Sequence, residues 1–167
     1  MNLSELVRLH SQSPEETERI GEVLAGLLIP GDVIGLDADL GGGKTCLTRG
    51  LVRGVDPQNS VRVSSPTYAI VNVYITNPPV LHFDLYRVES IEDLETTGYW
   101  ESSEMADSIV VIEWIQRLDD AATSLSWRVS IVSHSGEARE LAIWGDAGDQ
   151  ARVLAAFGAW TAESAPS

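Results

Sequence analysis

The tightest constraint on the fold is the run Ala38-Asp39-Leu40-Gly41-Gly42-Gly43-Lys44-Thr45. It lies between a short apolar segment, Val33-Ile34-Gly35-Leu36, and a stretch in which Leu47, Leu51, Val52 and Val55 share one helical face. A strand, a glycine-rich loop and a helix in that order aim backbone N–H groups and the positive end of the helix at one point, where an anion can sit. Glycines at 41, 42 and 43 permit backbone conformations closed to residues with a Cβ. In such a loop the lysine, Lys44, neutralises β and γ phosphates, and the Thr45 hydroxyl is a ligand for Mg2+. The expected nucleotide contacts are therefore Asp39, Leu40, Gly41, Gly42, Gly43, Lys44, Thr45 and Cys46, with ATP and Mg2+ as the bound species. The full pattern has glycine at the position of Ala38, where a methyl is tolerated at negative φ and not at positive φ. Lys44 is the only lysine in the chain, so its one ammonium stands where phosphate chemistry needs a compact charge.

That single lysine also narrows the class. A guanine-reading Asn-Lys-x-Asp motif would need a second one, and the Leu-Ser-Gly-Gly signature of transporter ATPases does not occur. Phosphoryl chemistry at such a loop needs an acid at the end of a neighbouring strand. Glu113 follows the apolar run Ile109-Val110-Val111-Ile112, and Asp84 lies in Leu81-His82-Phe83-Asp84-Leu85-Tyr86-Arg87, where alternation sets His82, Asp84 and Tyr86 on one face. Each acid also admits a plainer reading, Glu113 as a solvated strand end and Asp84 as half of a structural hydrogen bond with His82. His82-x-Asp84 with only three histidines and one cysteine does not make a zinc site. Ser64-Ser65-Pro66-Thr67 reads either as a plain polar turn or as a switch with a hydroxyl to offer.

Along the rest of the chain, residues 5–10 alternate as an opening strand, and Ser13-Pro14-Glu15-Glu16 begins a helix that Pro30-Gly31-Asp32 stops. Strands are expected over 61–63, 68–75 and 80–85, the last two forming a hairpin around Asn77-Pro78-Pro79. Short helices are expected over 91–97 and 102–106, a doubly covered strand over 109–112, and a hairpin of 127–132 with 140–144. A helix over 148–160 closes the domain before a short flexible tail from about 161. With 167 residues this is one domain, 1–167. No apolar run approaches the ~18 residues of a membrane span, and one cysteine and no secretory leader point to the cytoplasm. A net charge of −14 with scattered arginines disfavours direct nucleic-acid binding, so any RNA must be held by a partner.

Taken in order, Asp39 to Thr45, then Ser64-Ser65-Pro66-Thr67-Tyr68, then His82-Phe83-Asp84-Leu85-Tyr86-Arg87, then Ile112-Glu113-Trp114, the chain resembles the TsaE family of tRNA-modification proteins from about Ser13 to Arg117. The resemblance implies an α/β, P-loop NTPase-like three-layer fold with a mixed central sheet and helices on both faces. It also implies a Mg2+-dependent ATPase, weak alone, that works with TsaB and TsaD to make threonylcarbamoyladenosine (t6A) in tRNA. By position it makes Lys44 a phosphate contact, Thr45 and Glu113 the metal ligands, and Asp84 a second acid that orders water. Thr67 becomes a γ-phosphate sensor, Trp114 a wall of the site and Arg117 a nucleotide contact. Ile115 stands where the family often has proline. Two other classes use the same loop: a small-molecule kinase, for which no arginine-rich lid follows Arg87, and a nucleotide-dependent binding module with negligible turnover.

Overall fold

The computed structural model describes residues 3–59, 61–88, 106–117, 124–158 and 160. In chain order the elements are β1 (Ser4–Ser11), α1 (Pro14–Ala25), β2 (Val33–Ala38), α2 (Lys44–Val55), β3 (Val71–Tyr74), β4 (Val80–Asp84), β5 (Ile109–Glu113), β6 (Trp127–Ser133), β7 (Arg139–Gly145) and α3 (Gln150–Ala156). The strands form one sheet in the order β1-β7-β6-β2-β5-β4-β3. Its centre, β6-β2-β5-β4, is parallel, and antiparallel pairs close both sides, so the sheet is mixed.

Local chemistry explains the first elements. Ser13 caps α1 by accepting from Glu16 N–H at 3.2 Å, Pro14 occupies the first turn, and the Glu16 carboxylate reaches back to Gln12 N–H at 2.7 Å. Helix α1 lies on α2 at backbone contact: a Cβ at Gly21 would stand 2.4 Å from Leu47 O, and one at Gly50 would stand 1.9 Å from Glu18 O. Only glycine permits that approach, which draws α2 over the sheet with its first turn at the end of β2. Glu18 pairs with Arg49 and Arg53, and Glu22 with Arg53, along the exposed rim of this contact, where such pairs add little stability.

Two apolar clusters occupy opposite faces of the sheet. Ile34, Leu36, Ile109, Val111, Leu47 and Leu51 belong to the face under α1 and α2, and Val110, Ile112, Leu81, Phe83 and Ile115 to the other. Strand β5 is buried throughout, as a central parallel strand with apolar residues on both faces must be.

The structure departs from the sequence expectations in four places. Residues 61–63 form no strand; Val63 is buried and Val61 packs against the first cluster, so their apolar character serves packing rather than a ladder. The hairpin strand expected from 68 begins at Val71, because 67–70 turn, with Ile70 at φ 66° and its N–H on Pro66 O at 2.6 Å. Strand β4 ends at Asp84, so Tyr86 lies beyond the alternation that relates His82 to Asp84. The closing helical stretch is interrupted rather than continuous: a 3-10 turn, Ala147–Asp149, capped by Asp146, leads into α3, Phe157 is a turn, and residues 158 and 160 are helical again. The helices expected over 91–97 and 102–106 and the tail from 161 lie outside the described residues, apart from Ala106. Among the described residues no helix is long and apolar enough to cross a membrane.

Candidate nucleotide site

Register carries the acids to the loop. Leu36 is paired with Glu113 across β2 and β5, and Asp84 with Glu113 across β4 and β5. Both carboxylates therefore stand side by side at the C-terminal ends of parallel strands, next to the point where β2 gives way to the glycine loop. That is where open α/β sheets bind ligands.

The three glycines of the loop are needed for two reasons. Gly41 has φ 74° and Gly43, which caps α2, has φ 105°, conformations that side chains with a Cβ rarely adopt. Gly42 is a matter of space: a Cβ there would stand 2.7 Å from the Ala38 methyl and 2.9 Å from Asp39 O. Ala38 itself ends β2 and is not among the positive-φ residues, so its methyl is compatible with the backbone. What the methyl does is fill the space that a side chain at 42 would need.

Lys44 is only 4% exposed. Its Nζ donates to Ala38 O at 2.7 Å and Asp39 O at 2.9 Å, and lies 3.7 Å from the centre of the Trp114 ring. Burial pushes its ammonium below the ordinary value, and the carboxylates of Glu113, Asp84, Asp37 and Asp39 pull it back up. Trp114 reaches this position from a left-handed backbone, φ 63°, immediately after Glu113. For a bulky residue that is a strained conformation, costing roughly 1–3 kcal/mol.

Thr45 Oγ1 donates to Glu113 Oε1 at 3.0 Å, and His82 Nε2 lies 2.8 Å from the same oxygen. Glu113 and His82 are 2% and 0% exposed, so the carboxylate is fixed by hydrogen bonds in place of water. Asp84, also buried, accepts from Ser65 Oγ at 2.5 Å and Thr67 Oγ1 at 2.8 Å through Oδ2, and from Tyr86 N–H at 3.0 Å through Oδ1. The Ser-Ser-Pro-Thr segment is thus tied to the second acid, and the plain structural pairing of Asp84 with His82 does not form.

These groups line one cleft of about 380 Å³, from Leu40 through Cys46 on one side to Ser65, Thr67, Asp84, Tyr86, Glu113 and Trp114 on the other. Two expected contacts stand apart from its lining. Asp39 contributes its carbonyl to Lys44 and to Gly42 N–H, and Arg117 lies over the two aromatic walls, 5.2 Å from the Tyr86 ring and 5.8 Å from the Trp114 ring. Cys46 lines the cleft, but its thiol turns away to Pro14 O at 3.1 Å, and burial raises its pKa. Tyr74, which the sequence reading passed over, lies 3.2 Å from His82 Nδ1 through its hydroxyl.

The strand order, the loop at the end of β2 and the helix that follows it define an α/β fold of the P-loop NTPase type. The whole chain superposes on the crystal structure of Bacillus subtilis YdiB with a TM-score of 0.69, covering 99% of both chains at 20% identity, which speaks to the fold. Residues 11–141 match the family of the threonylcarbamoyl adenosine biosynthesis protein TsaE, and this chain belongs to that family. Proteins named tRNA threonylcarbamoyladenosine biosynthesis protein TsaE are similar to it over most of their length. That of Nostoc is 36% identical over 121 residues, 71% of this chain and 74% of its own. That of Treponema pallidum is 35% identical over 127 residues, 74% of this chain and 92% of its own. That of Bacillus subtilis is 31% identical over 131 residues, 77% and 79%.

Proposed function

We propose that this chain, acting as one domain in the cytoplasm, serves t6A biosynthesis in tRNA as an ATP-binding, ATP-hydrolysing component that works with TsaB and TsaD. The observation that carries the nucleotide half of the reading is the convergence of a three-glycine loop, a buried lysine and the Thr45–Glu113 hydrogen bond in one cleft. The t6A half is supported by the family and by the names of the relatives.

The donor set fits a hard divalent cation. Thr45 gives its proton to Glu113, which leaves the lone pairs of its oxygen free to ligate, and hydroxyl and carboxylate oxygens are the ligands Mg2+ takes beside phosphate. When bound, Mg2+ would neutralise charge on the β and γ phosphates. The backbone N–H groups of Gly41, Gly43, Lys44 and Thr45 would face the phosphates, Gly42 N–H being held by Asp39 O, and Lys44 would exchange its loop carbonyls for phosphate oxygens. Asp84, a buried acceptor beside Glu113, would orient the attacking water. Thr67 and Ser65 are released from Asp84 or held to it according to what that water and the γ phosphate demand. With a net charge of −14, the chain meets tRNA only through the assembly.

The test is reconstitution: ATP turnover by the chain alone, with purified TsaB and TsaD, and t6A formed on tRNA with and without the chain. Turnover that rises with the partners and t6A that requires both the chain and ATP is the expected result. Full t6A yield without the chain, or tight binding of tRNA by the chain alone at physiological salt, would overturn it.

A second reading has one observation behind it. A larger cavity, about 670 Å³, adjoins the cleft through Thr45 and Ser65 and carries Arg49, Arg53 and Arg62, a place where a small anionic acceptor of a phosphoryl group would fit. Label passing from [γ-32P]ATP to a small metabolite rather than to inorganic phosphate would establish that kinase reading in place of the first.

A further inference from the structure

A second line of hydrogen bonds leaves Glu113 and runs away from the cleft. His82 Nε2 meets Glu113 Oε1 at 2.8 Å, His82 Nδ1 meets the Tyr74 hydroxyl at 3.2 Å, and the Tyr74 hydroxyl meets Ser64 O at 3.1 Å. Asn72 Nδ2 braces the far end, donating to Ser64 O at 3.0 Å and to the Tyr74 oxygen at 3.4 Å. The hairpin builds this line: Asn72 is paired with His82 across β3 and β4, and Tyr74 follows Asn72 on the same face. Ser64 directly precedes the residue whose hydroxyl is bound to Asp84. The line therefore joins the proposed metal ligand to the backbone of the segment that touches the second acid.

We propose that His82 and Tyr74 are positioning residues that tie the orientation of Glu113 to the placement of segment 64–67. The inference deepens the metal–nucleotide reading above and rests on it. It follows from counting protons. A carboxylate only accepts, so the ring N–H of a neutral His82 is at Nε2 and points to Glu113, leaving Nδ1 as an acceptor. Tyr74 has one hydroxyl proton and two acceptors within reach, His82 Nδ1 and Ser64 O. Burial also raises the phenol's pKa, which keeps that proton in place.

When the proton goes to Ser64, its carbonyl has two donors, Tyr74 and Asn72, beside the bonds of Ser65 and Thr67 to Asp84; when it goes to His82, Asn72 alone holds that carbonyl. Hydrogen bonds in a buried chain polarise one another, so the hold of Glu113 on Nε2–H sets how strongly Nδ1 competes for the phenol. A cation that withdraws charge from Glu113 weakens that competition, and the phenol turns to Ser64. Metal binding then tightens the segment carrying Ser65 and Thr67. No proton enters or leaves the chain; one hydroxyl rotates.

The experiment is amide hydrogen exchange over residues 61–70 with ATP and EDTA and with ATP and Mg2+, on the parent, Tyr74→Phe and His82→Gln. Mg2+ is expected to slow exchange there in the parent. Tyr74→Phe should keep the parent's metal-free ATP affinity, with at most a small loss of thermal stability, while its Mg2+-dependent slowing shrinks about fivefold, the size of one hydrogen bond between neutral groups. His82→Gln, which breaks the line one step nearer the metal, should lose the same response and also require more Mg2+ for turnover. Tyr74→Phe responding to Mg2+ as the parent does, or exchanging faster to the same degree with and without Mg2+, overturns the inference and leaves the nucleotide reading standing. A parent that fails to bind ATP overturns both.

Discussion

On one side of the cleft, the loop between β2 and α2 is fixed by its own backbone: two glycines at positive φ, a third packed on the Ala38 methyl, and the first turn of a helix. Across from it, the segment 64–67 follows no regular element and is fixed by side chains from strands that follow later in the chain, Asp84 on its hydroxyls and Tyr74 and Asn72 on the Ser64 carbonyl. The first wall is determined by contiguous residues and offers few ways to rearrange. The second hangs on a handful of hydrogen bonds, worth about 1 kcal/mol for the neutral ones and about 1.5–3 for those on the Asp84 carboxylate, and Ile70, a β-branched residue at φ 66°, adds strain just beyond it. A rigid wall suits phosphate binding; one held by exchangeable bonds suits a switch that reports what is bound.

The contrast breaks most completely at Lys44. Lys44→Ala removes the charge from the rigid wall and should lower ATP affinity roughly a hundredfold or more, since charge-assisted bonds to phosphate are the strong ones; calorimetry measures it. Next is Gly42→Ala. Its new methyl meets the Ala38 Cβ and Asp39 O, an overpacking that should cost ~1–3 kcal/mol in thermal or denaturant stability and weaken phosphate binding. Ala38→Gly alone should be nearly silent, and Ala38→Gly with Gly42→Ala should recover part of the loss. On the other wall, Asp84→Asn should destabilise the protein by only about 1 kcal/mol, speed exchange of the 64–67 amides, and reduce turnover more than ATP affinity. Smallest is Cys46: because burial raises its pKa and Pro14 O holds its proton, iodoacetamide at pH 8 should modify it more slowly than a free thiol, with and without ATP.

The same contrast governs what the sequence revealed. The strand–loop–helix unit, the capped start of α1, the apolar run of β5 and the two hairpins depend on neighbours in sequence, and all were legible. So was the meeting of Lys44, Thr45, Glu113 and Asp84, because a strand-end acid beside a glycine loop follows from parallel topology. Segment 61–70 was not, because apolar content at Val61 and Val63 says nothing about whether a ladder partner exists. The line from Glu113 to Ser64 needed the hairpin register: once Asn72 faces His82, alternation brings Tyr74 to the same face, yet the length of the turn around Asn77-Pro78-Pro79 that sets this register cannot be read from composition. Arg117 was expected at the nucleotide; its place over the Tyr86 and Trp114 rings, two walls of the cleft, could not be read from the sequence.

The most direct test of the central claim, that Thr45 and Glu113 hold the metal of a bound nucleotide, is calorimetric titration of ATP into the parent and Glu113→Gln, each with and without Mg2+. Equal affinity is expected without metal, with a gain on adding Mg2+ in the parent and loss of most of that gain, together with partner-stimulated turnover, in the variant. A Glu113→Gln protein that keeps the parent's Mg2+-dependent affinity and turnover would contradict it.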